Sequence, residues 1–112
     1  MIRIYHNSRC SKSRATLALL EGRDVEVSNY LDTPPDAAEL RHLLALLGIP
    51  ARQLLRSSEA AYKELGLADP ALGDDALIAA MVAHPILIER PIVVANGKAA
   101  IGRPPEAVLA IL

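Results

Sequence analysis

Hydrophobic and polar residues alternate along this 112-residue chain with two different periods. Residues 2–5 and 25–30 alternate with a period of two, which predicts two short β-strands. Between them, the sequence from Ser11 onwards has leucines at helical spacing, which predicts a helix. A second helical pattern follows the second strand, with Thr33 as the expected N-cap and Pro34 in the first turn. The chain therefore opens as strand, helix, strand, helix.

The remainder of the chain has a different pattern. Residues from about 50 to 84 form short apolar runs separated by glycine and proline, which predicts an inserted region of short helices. After this insert, the pair Asn96-Gly97 separates two extended runs and predicts a tight β-hairpin. A final helix is expected over residues 104–112.

This order of elements predicts an α/β fold. The opening gives two parallel strands joined by a right-handed crossover, and the hairpin adds antiparallel strands. The expected architecture is thioredoxin-like, with a mixed four-stranded sheet, flanking helices and the helical insert, in one domain over residues 1–112. In this architecture the loop after the first strand carries a reactive thiol at a helix N-terminus. Cys10 occupies that position in the sequence.

Composition narrows the function classes. Hydrophobic residues make up 52% of the chain, which is enough for a packed core. The net charge of −1 argues against a general binder of nucleic acid or anionic membranes. No leader sequence opens the chain, and no apolar run approaches the roughly 20 residues that span a bilayer. A single cysteine excludes an internal disulfide and a four-cysteine zinc site. We therefore expect a cytoplasmic protein without a metal centre.

The surroundings of Cys10 favour a reactive thiol over a buried structural one. Its neighbours can be cationic, and the first acidic residue of the chain is Glu21. These neighbours are His6, Arg9, Lys12 and Arg14. The positive end of a helix, these cations and hydrogen bonds from Ser11 or Ser13 would each favour the thiolate and attract an oxyanion. A lone cysteine is more often a small buried hydrophobe, but this one lies in a polar loop.

Three arginines distant from Cys10 are candidate anion ligands. Arg90 and Arg103 each precede a proline, and Arg56 ends the apolar run "QLLR". The planar guanidinium matches a tetrahedral oxyanion, although spacing alone is also compatible with ordinary surface residues. Pro91 is a candidate for the cis proline that thioredoxin-like folds keep near the thiol.

Five motifs, in order along nearly the whole chain, resemble the glutaredoxin-linked arsenate reductase family. They are "IYHNSRCSKSR", "NYLDTPPDAAEL", "LLR", "ERPIVV" and "GRPPEAVLAIL". The resemblance implies a thioredoxin-like fold and three groups of site residues. The nucleophile is Cys10; the thiolate-stabilising residues are His6, Ser13 and Arg14; the oxyanion-binding residues are Arg56, Arg90 and Arg103. Ser8 stands where the family commonly has proline, and Ser11-Lys12 stands where characterised members tend to have Gly-Thr.

The family resemblance implies reduction of arsenate to arsenite through a thiolate–arsenate adduct on Cys10. Glutathione is then the external thiol and glutaredoxin the protein partner, with no bound cofactor. The need for an external thiol follows from the residues alone, because a two-electron reduction needs two thiols and this chain has one. Two alternatives stay open: a glutathione-dependent thiol oxidoreductase of another substrate, and a Spx-like redox regulator that binds RNA polymerase. The regulators usually carry a Cys-x-x-Cys pair, whereas Ser13 occupies the second position here.

Overall fold

A computed structural model describes residues 2–112 of the chain. They form two compact units. The first comprises residues 2–33 together with Arg90–Leu112, and the second comprises Pro34–Glu89. The second unit is larger than the predicted insert because it includes a helix that precedes residue 50. The single-domain organisation over residues 1–112 stays a prediction.

The first unit contains a mixed four-stranded sheet in the order β2-β1-β3-β4. Its strands are β1 (Ile2–His6), β2 (Val25–Asn29), β3 (Ile92–Ala95) and β4 (Lys98–Ile101). β1 pairs in parallel with β2 and antiparallel with β3, and β3 and β4 form an antiparallel hairpin. Asn96 and Gly97 form the hairpin turn with φ angles of 55° and 71°, as an Asn-Gly turn between twisted strands requires. The predicted α/β class and mixed sheet are confirmed.

Two helical segments cover the sheet of this unit. Helix α1 (Ser11–Leu19) follows β1, and a 3₁₀ helix (Pro105–Ile111) ends the chain. The sequence predicted the second segment as an ordinary helix. It is wound more tightly, with the Ala107 N–H donating to the Pro104 carbonyl at 3.0 Å, the i→i+3 hydrogen bond of a 3₁₀ helix.

The core of the first unit lies between these helical segments and the sheet. Ile4, Val93, Leu20 and Val108 are almost fully buried and pack together. They come from β1, β3, the C-cap of α1 and the 3₁₀ helix, respectively. Burial of each such side chain contributes about 1.5–3 kcal/mol. This core therefore holds the C-terminal end of α1 against β1 and β3.

The second unit is helical. Its elements are α2 (Ala37–Leu47), α3 (Ala51–Leu54), α4 (Ala60–Glu64), α5 (Asp74–Ala83) and a 3₁₀ helix (Pro85–Leu87). Helix α5 packs against α2 and α3. α2 has 11 residues, and none of the helices in residues 2–112 combines the length and apolarity needed to cross a bilayer.

The predicted start of α2 was wrong. Asp36, not Thr33, is the N-cap, and its carboxylate accepts a hydrogen bond from the Glu39 N–H at 2.8 Å. The reason lies in the two prolines, because a residue that precedes proline is kept out of the helical region. Pro34 and Pro35 therefore delay the helix until Asp36 can cap it.

The end of α2 provides a test of backbone strain. Gly48 has a φ of +67° with no atom near the position of a Cβ, whereas Gly73, also in open space, has a φ of −84°. We predict that Gly48→Ala lowers the free energy of unfolding by about 1–2 kcal/mol, the cost of the left-handed region for a residue with a Cβ. In the comparison variant, Gly73→Ala, alanine can adopt the backbone angles, and only the glycine N-cap of α5 is lost, so the decrease should be smaller, about 0.5 kcal/mol. Urea denaturation followed by circular dichroism measures both, and equal effects would contradict the assignment of strain to Gly48.

Candidate active site

The fold places Cys10 at the point where the chain passes from β1 into α1. Its N–H donates to the Asn7 carbonyl at 3.0 Å, which closes a turn, and its own carbonyl accepts from the Arg14 N–H at 3.0 Å. The backbone is extended, with φ −95° and ψ 122°, and Cys10 is the N-cap of α1. Its side chain therefore lies beside the first N–H groups of a helix, which have no partner within the helix.

These N–H groups and a nearby guanidinium favour the thiolate of Cys10. Partial burial opposes ionisation, but the backbone N–H groups of Ser13 and Lys12 and the Arg90 side chain outweigh it. As a result, the pKa of Cys10 lies below its ordinary value. A larger fraction of the thiol is therefore in the nucleophilic form at neutral pH.

The hydroxyl of Ser13 has a different role from the one the sequence suggested. The sequence allows this hydroxyl to donate to the thiolate, whereas in the structure it is the Ser13 backbone N–H that hydrogen-bonds the sulfur. The buried Ser13 Oγ instead accepts from the Asn7 N–H at 3.0 Å and lies 2.7 Å from His6 Nδ1. Asn7 Oδ1 in turn accepts from the Arg9 N–H at 3.0 Å. The Ser13 hydroxyl thus stabilises the loop through contacts with His6 and Asn7 in the protein interior.

His6 is not one of the cations of the site. Its side chain is buried, and burial together with the nearby Arg14 lowers the pKa of His6 below the ordinary value of 6.5. The imidazole is therefore neutral at pH 7, and Nδ1 can accept the proton of the Ser13 hydroxyl. The ring contacts Ser13, and its role in stabilising the thiolate of Cys10 stays a prediction.

Arg14 also contacts the loop. Its Nη1 donates to the Ser8 carbonyl at 2.9 Å. This bond spans the turn that precedes Cys10, at the position where the family commonly has proline. Arg14 therefore restrains the loop that carries the thiol.

Two of the three predicted arginines lie at Cys10. Arg103 Nη2 is 3.5 Å from Cys10 Sγ, and its Nε donates to the Arg90 carbonyl at 2.8 Å. The Arg90 side chain hydrogen-bonds the thiolate and favours its charge. The Arg90-Pro91 peptide is cis, as is Arg103-Pro104. Cys10, Arg90 and Arg103 thus form one cluster in the first unit.

Arg56 lies in the second unit, where two carboxylates bind it. Its Nη1 donates to Glu89 at 2.7 Å and its Nε to Glu59 at 3.2 Å. The Arg56 N–H donates to the Leu87 carbonyl at 2.7 Å. A role for Arg56 in anion binding stays a prediction.

A close contact between α1 and the end of β4, not anticipated from the sequence, positions Arg103. Gly102 is buried, and a Cβ there would lie 2.7 Å from Pro91 Cγ and collide with Thr16 Oγ1. The Gly102 N–H donates to the Pro91 carbonyl at 2.9 Å. Thr16 is fully buried and its hydroxyl donates to the Lys12 carbonyl at 2.8 Å. The signal in the sequence was a polar residue on the inner face of α1, three positions after Ser13.

The cluster of Cys10, Arg90 and Arg103 combines a nucleophile with groups that bind anions. A thiolate at a helix N-terminus lies beside guanidinium groups, so the cluster can attack an oxyanion and stabilise its charge. In residues 2–112, no three His, Cys, Asp or Glu side chains are grouped so that they could hold a metal ion.

Comparison with known proteins links this geometry to a family. The ArsC family model matches residues 5–111. An arsenate reductase of Neisseria meningitidis is 56% identical, with 99% of this chain and 97% of the relative covered. The uncharacterized protein YfgD of Escherichia coli K12 is 62% identical, with 99% and 96% covered. The solved structure of an arsenate reductase from Vibrio cholerae superposes with a TM-score of 0.97 at 57% identity, over 99% of this chain and 97% of that one. This structural match confirms the thioredoxin-like fold.

The lowered pKa of Cys10 yields a pH-dependent prediction. Arg90→Gln removes a hydrogen bond and a positive charge that favour the thiolate, so the pKa of Cys10 should rise. The rate of Cys10 alkylation by iodoacetamide depends on the thiolate and falls as the pH is lowered through the pKa. In Arg90→Gln this fall should occur at higher pH than in the wild type. Arg23→Gln, at an exposed position, is the control, and coincident curves for all three proteins would contradict a role for Arg90.

The contact at Gly102 leads to a second prediction. Gly102→Ala forces α1 and the segment from Pro91 apart, and we expect the free energy of unfolding to fall by about 1–3 kcal/mol, as for other overpacked sites. Alkylation of Cys10 should also slow, because Arg103 is next to Gly102 in the chain and its guanidinium should move away from the sulfur. In the double variant Thr16→Ala/Gly102→Ala, removal of the Thr16 hydroxyl relieves one collision. The decrease in the free energy of unfolding should therefore be smaller than the sum of the decreases in the two single variants. Strict additivity in urea denaturation would show that this contact is not the cause.

Proposed function

This chain belongs to the ArsC family, and on that basis we propose that it reduces arsenate to arsenite, with Cys10 as nucleophile and glutathione as external reductant. The chain is an enzyme of the arsenate reductase type. The observation that supports the mechanism most directly is the cluster at Cys10, where Arg103 Nη2 lies 3.5 Å from the sulfur. Two cations beside a thiolate allow it to meet an anionic substrate without strong repulsion.

Arsenate binds next to the sulfur in this proposal. The guanidinium groups of Arg90 and Arg103 bind its oxygens, and the N-terminus of α1 adds the positive end of a helix. Arg56 is the third proposed ligand, on the basis of the "LLR" motif. To bind the oxyanion, its guanidinium would have to exchange or share the carboxylates of Glu59 and Glu89.

The first chemical step forms a sulfur–arsenic bond. The Cys10 thiolate attacks arsenic, and one arsenate oxygen leaves as water after protonation. Arsenic keeps its oxidation state of five, so no electrons have been transferred to it. The arginines stabilise the negative charge that moves onto the remaining oxygens.

The second step transfers the electrons. The thiolate of glutathione attacks Cys10 Sγ, a disulfide forms, and the sulfur–arsenic bond breaks with its electron pair on arsenic. Arsenic is reduced from five to three and leaves as arsenite, while the two sulfurs are oxidised together. Cys10 and glutathione thus supply the two electrons of one turnover.

The enzyme then needs a thiol exchange. Glutaredoxin attacks the glutathione sulfur of the mixed disulfide, which restores the Cys10 thiolate. Glutathione is a co-substrate here, not a bound cofactor, and a compartment with reduced glutathione is required. We therefore propose a cytoplasmic location.

The test is an arsenate-dependent assay with glutathione, glutaredoxin and glutathione reductase, followed by NADPH oxidation. We expect turnover with the wild type and none above background with Cys10→Ser, because the serine hydroxyl stays protonated at this pH. Arg103→Lys keeps the charge but loses the planar fork, and a loss of about 10²-fold is expected for one transition-state donor.

The control is Arg23→Gln, which lies on the exposed surface and should keep wild-type rates. Equal rates for the wild type and Cys10→Ser would refute the mechanism. Rapid glutathionylation of Cys10 without arsenate turnover would instead favour a thiol oxidoreductase with another substrate.

A further inference from the structure

The parallel pairing of β1 with β2 brings two loops to one edge of the sheet. His6 pairs with Asn29 at the last position of both strands, so both chains leave the sheet at the same level. Residues 7–9 follow β1, and Leu31 and Asp32 follow β2 closely. The carboxyl edge of parallel strands is the place where open α/β sheets bind ligands.

A cavity of about 350 Å³ opens at this edge. It is lined by His6, Asn7, Ser8, Arg9, Asn29, Leu31 and Asp32. Its volume lies at the lower end of the range for small-molecule sites, about 300–1,000 Å³. The cavity is thus large enough for a small peptide or metabolite.

The two charges that line this cavity are not used within the protein. Arg9 is cationic and Asp32 anionic, yet within residues 2–112 neither side chain makes a hydrogen bond or an ion pair. The two therefore do not neutralise each other. Asn7 and Asn29 also line the cavity, and side-chain amides can donate to and accept from peptide groups. This lining matches a small ligand that carries both charges and amide bonds.

We propose that this cavity binds the γ-glutamyl end of glutathione. Asp32 binds the α-ammonium group and Arg9 the α-carboxylate, which sit on the same carbon of the ligand. The choice of glutathione rests on the proposed function, since that reaction needs an external thiol and this chain has one cysteine. The structural argument itself requires only a zwitterionic peptide.

The cavity is within reach of the nucleophile. Arg9 precedes Cys10 directly, and consecutive Cα atoms are about 3.8 Å apart. A tripeptide spans at most about 10–11 Å when extended. Cys10 does not itself line the cavity, so the proposal requires a glutathione held by its γ-glutamyl end at Arg9 and Asp32 to extend past residue 9 towards the sulfur of Cys10.

The test uses S-methylglutathione, which has no free thiol and binds without reacting. Isothermal titration calorimetry should show weaker binding to Asp32→Asn and to Arg9→Gln by about two- to fivefold each, the range for an exposed charge pair. Because neither side chain has a hydrogen-bond or ion-pair partner among residues 2–112, both variants should stay folded. Asp24→Asn and Arg23→Gln, at exposed positions outside this cavity, are the matched controls and should bind as the wild type does.

A modified ligand identifies the group that Asp32 binds. N-acetyl-S-methylglutathione lacks the ammonium charge and should bind the wild type more weakly by a similar factor. Asp32→Asn should not distinguish the two ligands, because the partner of the ammonium is already absent. An equal penalty for N-acetylation in the wild type and in Asp32→Asn would overturn the assignment, as would the absence of binding to the wild type.

The enzymatic assay separates this inference from the proposed function. With arsenate turnover, Asp32→Asn should raise the KM for glutathione and leave the KM for arsenate unchanged. Turnover with an unaltered KM for glutathione in both variants would overturn the cavity assignment and leave the arsenate reaction intact. Binding that depends on Asp32, in a protein without arsenate turnover, would support the cavity and refute the reaction.

Discussion

The Ser13 hydroxyl joins the loop after β1 to the helix that follows it. It accepts from the Asn7 N–H and lies within hydrogen-bond distance of His6 Nδ1, both in the buried interior. An unsatisfied buried donor costs about 1–3 kcal/mol, so the loop has little freedom to leave this arrangement. The position of Cys10, the direction of the first N–H groups of α1 and the turn closed at Asn7 all depend on it. A side chain that never needs to touch the substrate therefore determines the geometry of the nucleophile.

The sequence predicted best what is local along the chain. Cys10 was placed at a strand-to-helix junction because alternation stops at His6 and helical spacing begins at Ser11. The Asn96-Gly97 turn was likewise visible because its backbone angles depend on those two residues. The start of α2 was misplaced because Thr33 and Asp36 are both good caps, and the choice between them depended on the prolines that separate them.

The origin of the positive charge at Cys10 could not be predicted from neighbours in sequence. His6 and Arg14 are adjacent to the thiol along the chain, but their side chains bond to Ser13 and to the Ser8 carbonyl. The charges at the sulfur come from Arg90 and Arg103, which β3 and β4 carry into place. The resemblance to a family identified these two arginines as candidates, whereas their spacing in the sequence could not distinguish them from ordinary surface residues. For the contact of Thr16 with Gly102, the only signal was a polar residue at an inward position of α1, and it does not identify the partner, because the contact joins segments distant in sequence at a residue without a side chain.

The solitary thiol has a consequence for stoichiometry. A protein with two cysteines could complete one reduction from its own electrons, whereas this chain can only form the covalent adduct and stop. On the proposed mechanism, a molecule deprived of glutathione can bind one arsenate ion as the adduct but cannot reduce it. The same cluster of residues therefore catalyses reduction only when a second thiol is supplied from outside the chain. On this mechanism, the supply of reduced glutathione determines how many arsenate ions each molecule of the protein reduces.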